Sequence, residues 1–298
     1  MAQADDRNAR SQASIEAGGL PLAAQERLDK LREGGSRFFT SDLSVNELLL
    51  AREAGFRPLT QVMGSSVYHV GWQQMPWTSG WQMPDGGTVE LDTQTAAWNE
   101  ARRLAIGRLR EEAQRAGADA VVGVRLERGA YDWSEGLVEF TAFGTAVRSE
   151  LYDLGDEPVL SNLSGQDFAK LYARGWWPAG LVAATSITYV VAGWSTQAAQ
   201  RGFLSRWSNQ ELTDYTQGMY DARAYAMRRL SRGAHEVGGH GVIGVQIEQH
   251  QDEREVDQNN RKRTDLIVTL HILGTAVVEL ADAPDSPTYV ALSLKEDA

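Results

Sequence analysis

The chain has 298 residues, enough for about two domains of ordinary size. Hydrophobic residues make up 42% and charged residues 23%, a balance typical of a globular protein with a buried core. The net charge of -11 argues against a nucleic-acid partner or an anionic membrane surface, because both need a concentrated basic face. There is no cysteine, which excludes disulfides, thiolate metal sites and a cysteine nucleophile.

No secretory signal is visible in the sequence. The first residues are polar and mixed in charge, unlike a secretory signal. The longest apolar stretch, residues 181–193, is too short for a membrane helix, which needs about 20 apolar residues. We therefore expect a cytoplasmic protein without a membrane span.

An internal repeat organises the chain. Residues 100–109, EARRLAIGRL, match residues 221–230, DARAYAMRRL, at an offset of 121. The offset is 120 in the preceding strand and 130 in the last one, so the second copy gains most of its extra residues between its last two strands. Such insertions are typical of surface loops.

Each copy predicts the same elements in the same order. The first copy gives a short helix at Ser44–Ala54 with a Ser44–Glu47 capping box, a strand at Gln61–Val70, a main helix over residues 101–116, and strands at Ala120–Leu126 and Val138–Val147. The second copy repeats them with a short helix from Ser164, a strand at Leu181–Val191, a main helix over residues 222–237, and strands at Val242–Ile247 and Leu266–Val278. The main helices carry apolar residues at i, i+3, i+4, i+8 and i+12, which marks one buried face.

The predicted fold is therefore α+β, with two tandem β-α-β-β units. In each unit the main helix lies on a three-stranded, mostly antiparallel sheet, and a short extra helix precedes the first strand. So few strands leave edges and one sheet face uncovered, which favours association with further subunits.

Two short motifs, Gly117–Val124 (GADAVVGV) and Gly144–Val147 (GTAV), recur more loosely at Gly238–Val245 and Gly274–Val277. Together with the Ala- and Arg-rich helix, they resemble the YbjQ family, also called UPF0145 or the heavy-metal-binding domain family. The resemblance implies a dodecin-like fold and ring-like homo-oligomers, typically pentamers, so that five chains would supply ten units. It brings no catalytic residues. The duplication and the long Trp-rich loops depart from the plain family pattern.

The repeat sets the predicted domain limits. Residues 1–41 form an N-terminal arm, partly disordered, with a short helix at Leu22–Arg32. The two YbjQ-like domains span residues 42–150 and 162–280, joined by a short linker, and residues 281–298 form a C-terminal tail. Thr288–Leu294 in that tail has the pattern of an edge strand. Gln249–Arg263 is charged without an apolar period, which predicts an exposed hairpin tip.

The candidate metal ligands are His235, Glu236 and His240. The five-residue spacing of the two histidines is off one helix face, but the Gly238-Gly239 turn between them leaves convergence open. The first copy has Gln114 and Asp119 at the matching positions, so the site is not duplicated. Solvated or structural histidines are the simpler interpretation; a divalent ion such as zinc or nickel is the alternative.

Tryptophans gather in the loop before each main helix, at Trp72, Trp77 and Trp81 in the first copy and at Trp194 and Trp207 in the second. Large rings of this kind are enriched at interface cores. We predict that they pack on their own unit and at subunit contacts. Stacking of a flavin-like ligand, or contact with another protein, is the alternative.

Three function classes remain. The sequence favours a non-catalytic, self-assembling binding or scaffold protein without a cofactor. A metal-binding or metal-response protein is the second class, and an enzyme of unrecognised type is the third. The enzyme is disfavoured because the chain has no nucleophile-elbow, P-loop or dinucleotide-binding motif.

Overall fold

The fold is given by a computed structural model that describes residues 2–33, 39–71, 86–129, 136–151, 153–201, 209–258 and 261–280. An N-terminal pair of helices, α1 (Ala2–Glu16) and α2 (Leu22–Glu33), precedes the first unit. That unit contains α3 (Val45–Glu53), β1 (Phe56–His69), β2 (Gly87–Glu90), α4 (Asp92–Arg115), β3 (Ala120–Gly129) and β4 (Leu137–Ser149). The second contains β5 (Val159–Leu160), α5 (Gly165–Tyr172), β6 (Trp176–Val191), α6 (Trp194–Arg201), α7 (Thr213–Glu236), β7 (Gly241–Gln258) and β8 (Arg261–Glu279).

The two units share one topology, which confirms the predicted fold class. β4 pairs antiparallel with β1 and β3, and β8 pairs antiparallel with β6 and β7. The apolar face of α4 packs on the first sheet through Ala101, Ala105 and Leu109, and α7 packs on the second sheet through a matching row. The Ser44–Glu47 capping box that begins α3 is also present.

Each sheet has a fourth strand that the repeat did not predict. The strand orders are β1-β4-β3-β5 and β2-β6-β8-β7. β5 comes from the linker and pairs in parallel with β3, whereas β2 comes from the first unit and pairs with β6 of the second. The Glu90 carboxylate of β2 also forms an ion pair with Arg229 on α7. The first sheet therefore gains a strand from the linker and the second sheet gains a strand from the first unit, so the two units interlock.

The two glycines of the repeated motif have distinct structural roles. Gly123 and Gly244, at φ +64° and +61°, lie at the same irregularity in β3 and β7, a left-handed conformation that side chains other than glycine rarely adopt. Gly144 and Gly274 instead lie where a Cβ would come within 2.6 Å of a valine Cγ1 on the neighbouring strand. Both requirements explain why the motif is repeated in the two copies.

The N-terminal arm differs from the expectation of a partly disordered segment with one short helix. Its described part forms two helices, and Leu20 and Leu28 bury against Ala116 near the end of α4. Arg108 of α4 donates to the carbonyl oxygens of Ile15 and Gly19, at 3.0 and 3.1 Å. Buried leucines and these hydrogen bonds attach the arm to the first unit.

The predicted hairpin tip at Gln249–Arg263 is wrong in its extent. The β7–β8 ladder continues through this segment as far as Gln258 and Arg261. Its side chains along β7 are mostly exposed, so the strand lacks the apolar alternation that marks a half-buried strand. The edge strand predicted at Thr288–Leu294 lies outside the described residues.

Candidate functional site

Arg102 of α4 lies buried where the first unit meets the second sheet, with 6% of its surface exposed. Its guanidinium donates to Thr185 Oγ1, to Asn99 Oδ1 and to the Ala183 carbonyl oxygen at 2.9 Å. All three acceptors are neutral, and none of the ion pairs among the described residues includes Arg102. Burial, and then the charge of Arg229, lowers the pKa of Arg102 to about 9. The group therefore remains cationic at neutral pH.

Asn99 joins the two units through the backbone of β6. Its side-chain amide donates to the Thr185 carbonyl oxygen at 3.0 Å and accepts from the Thr185 N–H at 3.1 Å. One turn earlier, Thr95 Oγ1 accepts from the Ile187 N–H at 3.1 Å. These side chains form hydrogen bonds with the backbone groups of β6 that lie beyond the end of β2. The hydrogen bonds fix α4 against the second sheet.

His271 of β8 faces the same junction. Its ring stacks on Trp98 of α4, with centroids 5.3 Å apart and planes 5° from parallel. Nδ1 lies 2.9 Å from Thr185 Oγ1, whereas Nε2 is inaccessible to solvent and has no hydrogen-bond partner among the residues that the structure describes. Burial first, then the charges of Arg128, Arg102 and His250, lowers the pKa of His271 to about 3. The imidazole is therefore neutral at physiological pH.

A small cavity of about 30 Å³ opens beside this histidine. Its polar lining includes Arg102 and Arg128 as cations, Glu248 as an anion, and His271. The Arg128 guanidinium also lies over the Trp98 ring, 5.5 Å from its centroid. Three elements of the first unit and three strands of the second supply this lining, so the cavity exists only because the units are joined.

A second buried polar cluster is structural. Asp265 is fully buried and accepts from the Tyr189 hydroxyl, from the Ala192 N–H at 2.9 Å and from Arg263 Nη2 at 2.8 Å. Burial first, and then the hydrogen bond to Asp265, raises the pKa of Tyr189. These contacts hold the end of β6 against β8.

The structure places Glu236 apart from the other two candidate metal ligands. His235 and His240 line one hollow beside Met227 and Val245, whereas Glu236 lines another beside Arg229. His235 Nδ1 already lies 2.6 Å from the Ser231 carbonyl oxygen. No group of three or more histidine or carboxylate side chains suited to a metal ion occurs in the described ranges. The donor set at this position does not fit a metal centre, although the hypothesis itself remains untested.

Of the five tryptophans predicted to lie at interfaces, only Trp194 falls in the described part of the chain. It begins α6 and is 57% exposed. Trp72, Trp77, Trp81 and Trp207 lie outside the described residues. The interface prediction for this set remains a prediction.

The junction residues were missed by sequence reasoning, although two signals pointed to them. Arg102 directly follows the buried Ala101 on the main helix, in a position where a charged residue needs a partner. His271 alternates with Ile267 and Leu273 along β8, which places it on an apolar face. Neither signal reveals that the two residues meet, because they belong to different units.

Comparison with known proteins agrees with the repeat. The model of the YbjQ family, described as "Putative heavy-metal-binding", matches residues 84–150 and again residues 190–279. An encapsulin nanocompartment protein of Mycobacterium tuberculosis is 35% identical over 237 residues, which cover 78% of this chain and 84% of that protein.

Shorter relatives match one unit. UPF0145 proteins of Clostridium perfringens and Methanococcus maripaludis are 41% identical over 58 residues and 46% identical over 59 residues. Each match covers 20% of this chain and about half of the relative, 53% and 51% respectively. None of these three relatives carries the name of an enzyme. In the described residues, no helix is long and apolar enough to cross a membrane. The two family matches and the long alignment show that the chain is a tandem member of the YbjQ, or UPF0145, family.

Proposed function

We propose that the chain is a non-catalytic scaffold that assembles head to tail with copies of itself. The observation that carries the proposal is one contact that is buried between the two units. The surfaces that correspond to it through the repeat are exposed elsewhere on the same chain. The name of the mycobacterial relative, an encapsulin nanocompartment protein, also supports a role in a larger assembly.

The internal contact joins a side of the first unit to a face of the second. The helix side is formed by Asn99 and Ile106 of α4 with Leu126 of β3. The sheet face is the surface of the second sheet turned away from α7, formed by Leu181, Ala183, Ile187 and Leu273. Ile106, Leu126 and Ala183 pack in one cluster with Leu181 and Leu273, and Ile187 is 2% exposed.

The repeat places a second helix side on α7 and β7. At an offset of 121, Asn99, Ile106 and Leu126 correspond to Tyr220, Met227 and Ile247. These three residues are 64%, 37% and 48% exposed.

A second sheet face lies on the first sheet. At an offset of 120, Ala183 and Ile187 correspond to Met63 and Val67, which are 45% and 55% exposed. Four of these five exposed residues are aliphatic, and a second copy of the chain offers the complementary surface in the same register. Burial of such side chains is the main favourable term in association.

A contact between two different surfaces is heterologous, so it propagates from chain to chain. It closes into a ring when the rotation per chain divides a full turn, and otherwise forms a filament. Ring closure, and five as the number of chains, follow from the family resemblance. The surfaces that the head-to-tail contact does not cover, and the exposed Trp194, leave room for a further protein partner on the assembled scaffold.

The test uses two charge substitutions at exposed positions. Met227→Glu blocks the helix side of α7, and Met63→Lys blocks the sheet face of the first unit. Neither residue belongs to a buried core, so both variants are expected to fold. Leu151→Lys, at an exposed apolar residue in the turn after β4, is the matched control.

Mass photometry at low micromolar concentration reads the outcome. We expect an oligomer for the unsubstituted chain and the Leu151→Lys control, and the single-chain mass of 32.8 kDa for each blocked variant. Mixing the blocked variants brings together one unsubstituted pair of surfaces, so association between the two variants is expected to return. A monomeric unsubstituted chain, or oligomers that survive both substitutions, would refute head-to-tail assembly.

A further inference from the structure

His271 Nε2, beside the junction cavity, has no hydrogen-bond partner in the described part of the chain. Arg102 donates to Thr185 Oγ1, so the Thr185 hydroxyl accepts that bond and keeps its own proton to donate. Among the described residues, the neighbour placed to receive this proton is His271 Nδ1, at 2.9 Å. The neutral imidazole therefore carries its proton on Nε2, assigned from the hydrogen-bond network. This Nε2–H is therefore a buried donor, and the described residues offer it no acceptor.

The charge of the cavity favours an anion. Arg102 and Arg128 contribute two positive charges to its lining, against one negative charge from Glu248. The three hydrogen bonds of Arg102 go to neutral acceptors, so none of them neutralises its charge. A buried cation normally has a charged partner, and here the described side chains do not supply one.

The volume limits the ligand. About 30 Å³ is room for roughly two water molecules or for a group of three to four heavy atoms, since one water needs about 10–15 Å³ by this measure. Oxygen atoms that accept from an imidazole N–H and pair with guanidinium groups belong to carboxylates and oxyanions.

We propose that the cavity between the two units binds a carboxylate group or a small inorganic oxyanion, with His271 Nε2–H as the donor and Arg102 and Arg128 as the charged partners. Because one chain supplies every ligand-binding side chain, the site does not depend on assembly. A bound anion would lock α4 of the first unit to β8 of the second and so stiffen the junction.

The experiment compares formate and nitrate as probes, since both stay within four heavy atoms, against a background of sodium chloride at constant ionic strength. Histidine labelled with ¹⁵N reports the Nε2 signal of His271 directly, and the thermal midpoint reports binding to the folded state. Two variants remove the proposed contacts: His271→Phe keeps a ring beside Trp98 but removes the donor, and Arg128→Gln removes one charge.

Arg125→Gln is the matched control for Arg128→Gln. Arg125 lies on the same strand, pairs with Asp42 and does not line the cavity. The Arg125→Gln substitution therefore removes the same charge from the same strand and leaves the lining of the cavity unchanged.

We expect a saturable shift of the His271 Nε2 signal and a rise in thermal midpoint with one or both probes. Arg128→Gln is expected to weaken the response about tenfold, His271→Phe to abolish it, and Arg125→Gln to leave it unchanged. A response to formate alone identifies a carboxylate site, and a response to nitrate alone identifies an inorganic oxyanion site.

No saturable response to either probe would show that the cavity holds water only. An equal response in His271→Phe and in the unsubstituted chain would place binding elsewhere on the surface. Either result would overturn the proposal. The mass of each sample is measured in parallel, so a failure of assembly and a failure of anion binding are distinguishable.

Discussion

Gly144→Ala is the sharpest test of how the repeated motif shapes the fold. Gly144 lies in the middle of β4, opposite Val62 of β1, with α4 on one side of the sheet. An added Cβ would lie 2.6 Å from Val121 Cγ1 and 3.2 Å from Val124 Cγ2. Carbon atoms in ordinary contact are about 3.5–4.0 Å apart, so the new methyl overlaps Val121 by about 1 Å.

The neighbours cannot move aside easily. Val121 and Val124 are fully buried and lie in the cluster that also holds Leu109 and Ala146. Overpacking of such a site costs about 1–3 kcal/mol of unfolding free energy. Gly274→Ala is expected to have the same effect in the second unit, because its Cβ would lie 2.6 Å from Val242 Cγ1.

Chemical denaturation with urea, at a fixed protein concentration, measures the change. Gly107→Ala is the matched control, since Gly107 is exposed within α4 and nothing lies within 4 Å of its Cβ position. That substitution is expected to stabilise the protein by about 0.5–1 kcal/mol, because glycine is the poorer helix former.

The double variant Val121→Ala/Gly144→Ala tests the cause. Removing the Val121 methyl groups makes room for the new methyl, so the two changes together are expected to cost at least about 1 kcal/mol less than their sum. Additive effects would show that the methyl clash is not what destabilises Gly144→Ala, and a neutral Gly144→Ala would refute the packing argument altogether.

Two further outcomes follow from the histidines. Because the pKa of His271 is lowered to about 3, the unfolded chain binds a proton below pH 6.5 that the folded chain does not bind until about pH 3. The folded protein therefore loses stability as pH falls through this window. The charged or titratable groups around His271 are Arg102, Arg128, Glu248 and His250. Between pH 7 and pH 5, urea unfolding of the parent chain is expected to lose about 2 kcal/mol more than that of His271→Phe, and equal losses would contradict the buried neutral imidazole. Replacing both His235 and His240 with alanine is expected to leave zinc and nickel content unchanged in elemental analysis of protein purified without added metal, and loss of one equivalent would revive the metal hypothesis.

The sequence alone determined the architecture of each unit, for a physical reason. The apolar positions of the main helices recur at helical spacing in both copies, and the motif glycines lie where the backbone is left-handed or two strands approach closely. These are local constraints, so they appear in the sequence wherever the unit appears. The capping box at Ser44 is of the same kind, since its two partners are three residues apart.

Tertiary structure alone decided how the two units fit together. β2 follows the first Trp-rich loop but pairs with β6, about 100 residues later, and its four residues carry no pattern that names this partner. The N-terminal helices pack on α4 through Leu20 and Leu28, and the local sequence around these leucines does not indicate which element they contact. The junction cavity is the clearest case, because Arg102 and His271 are 169 residues apart in the sequence. Only the packing of the two units against each other places both side chains in the lining of one cavity.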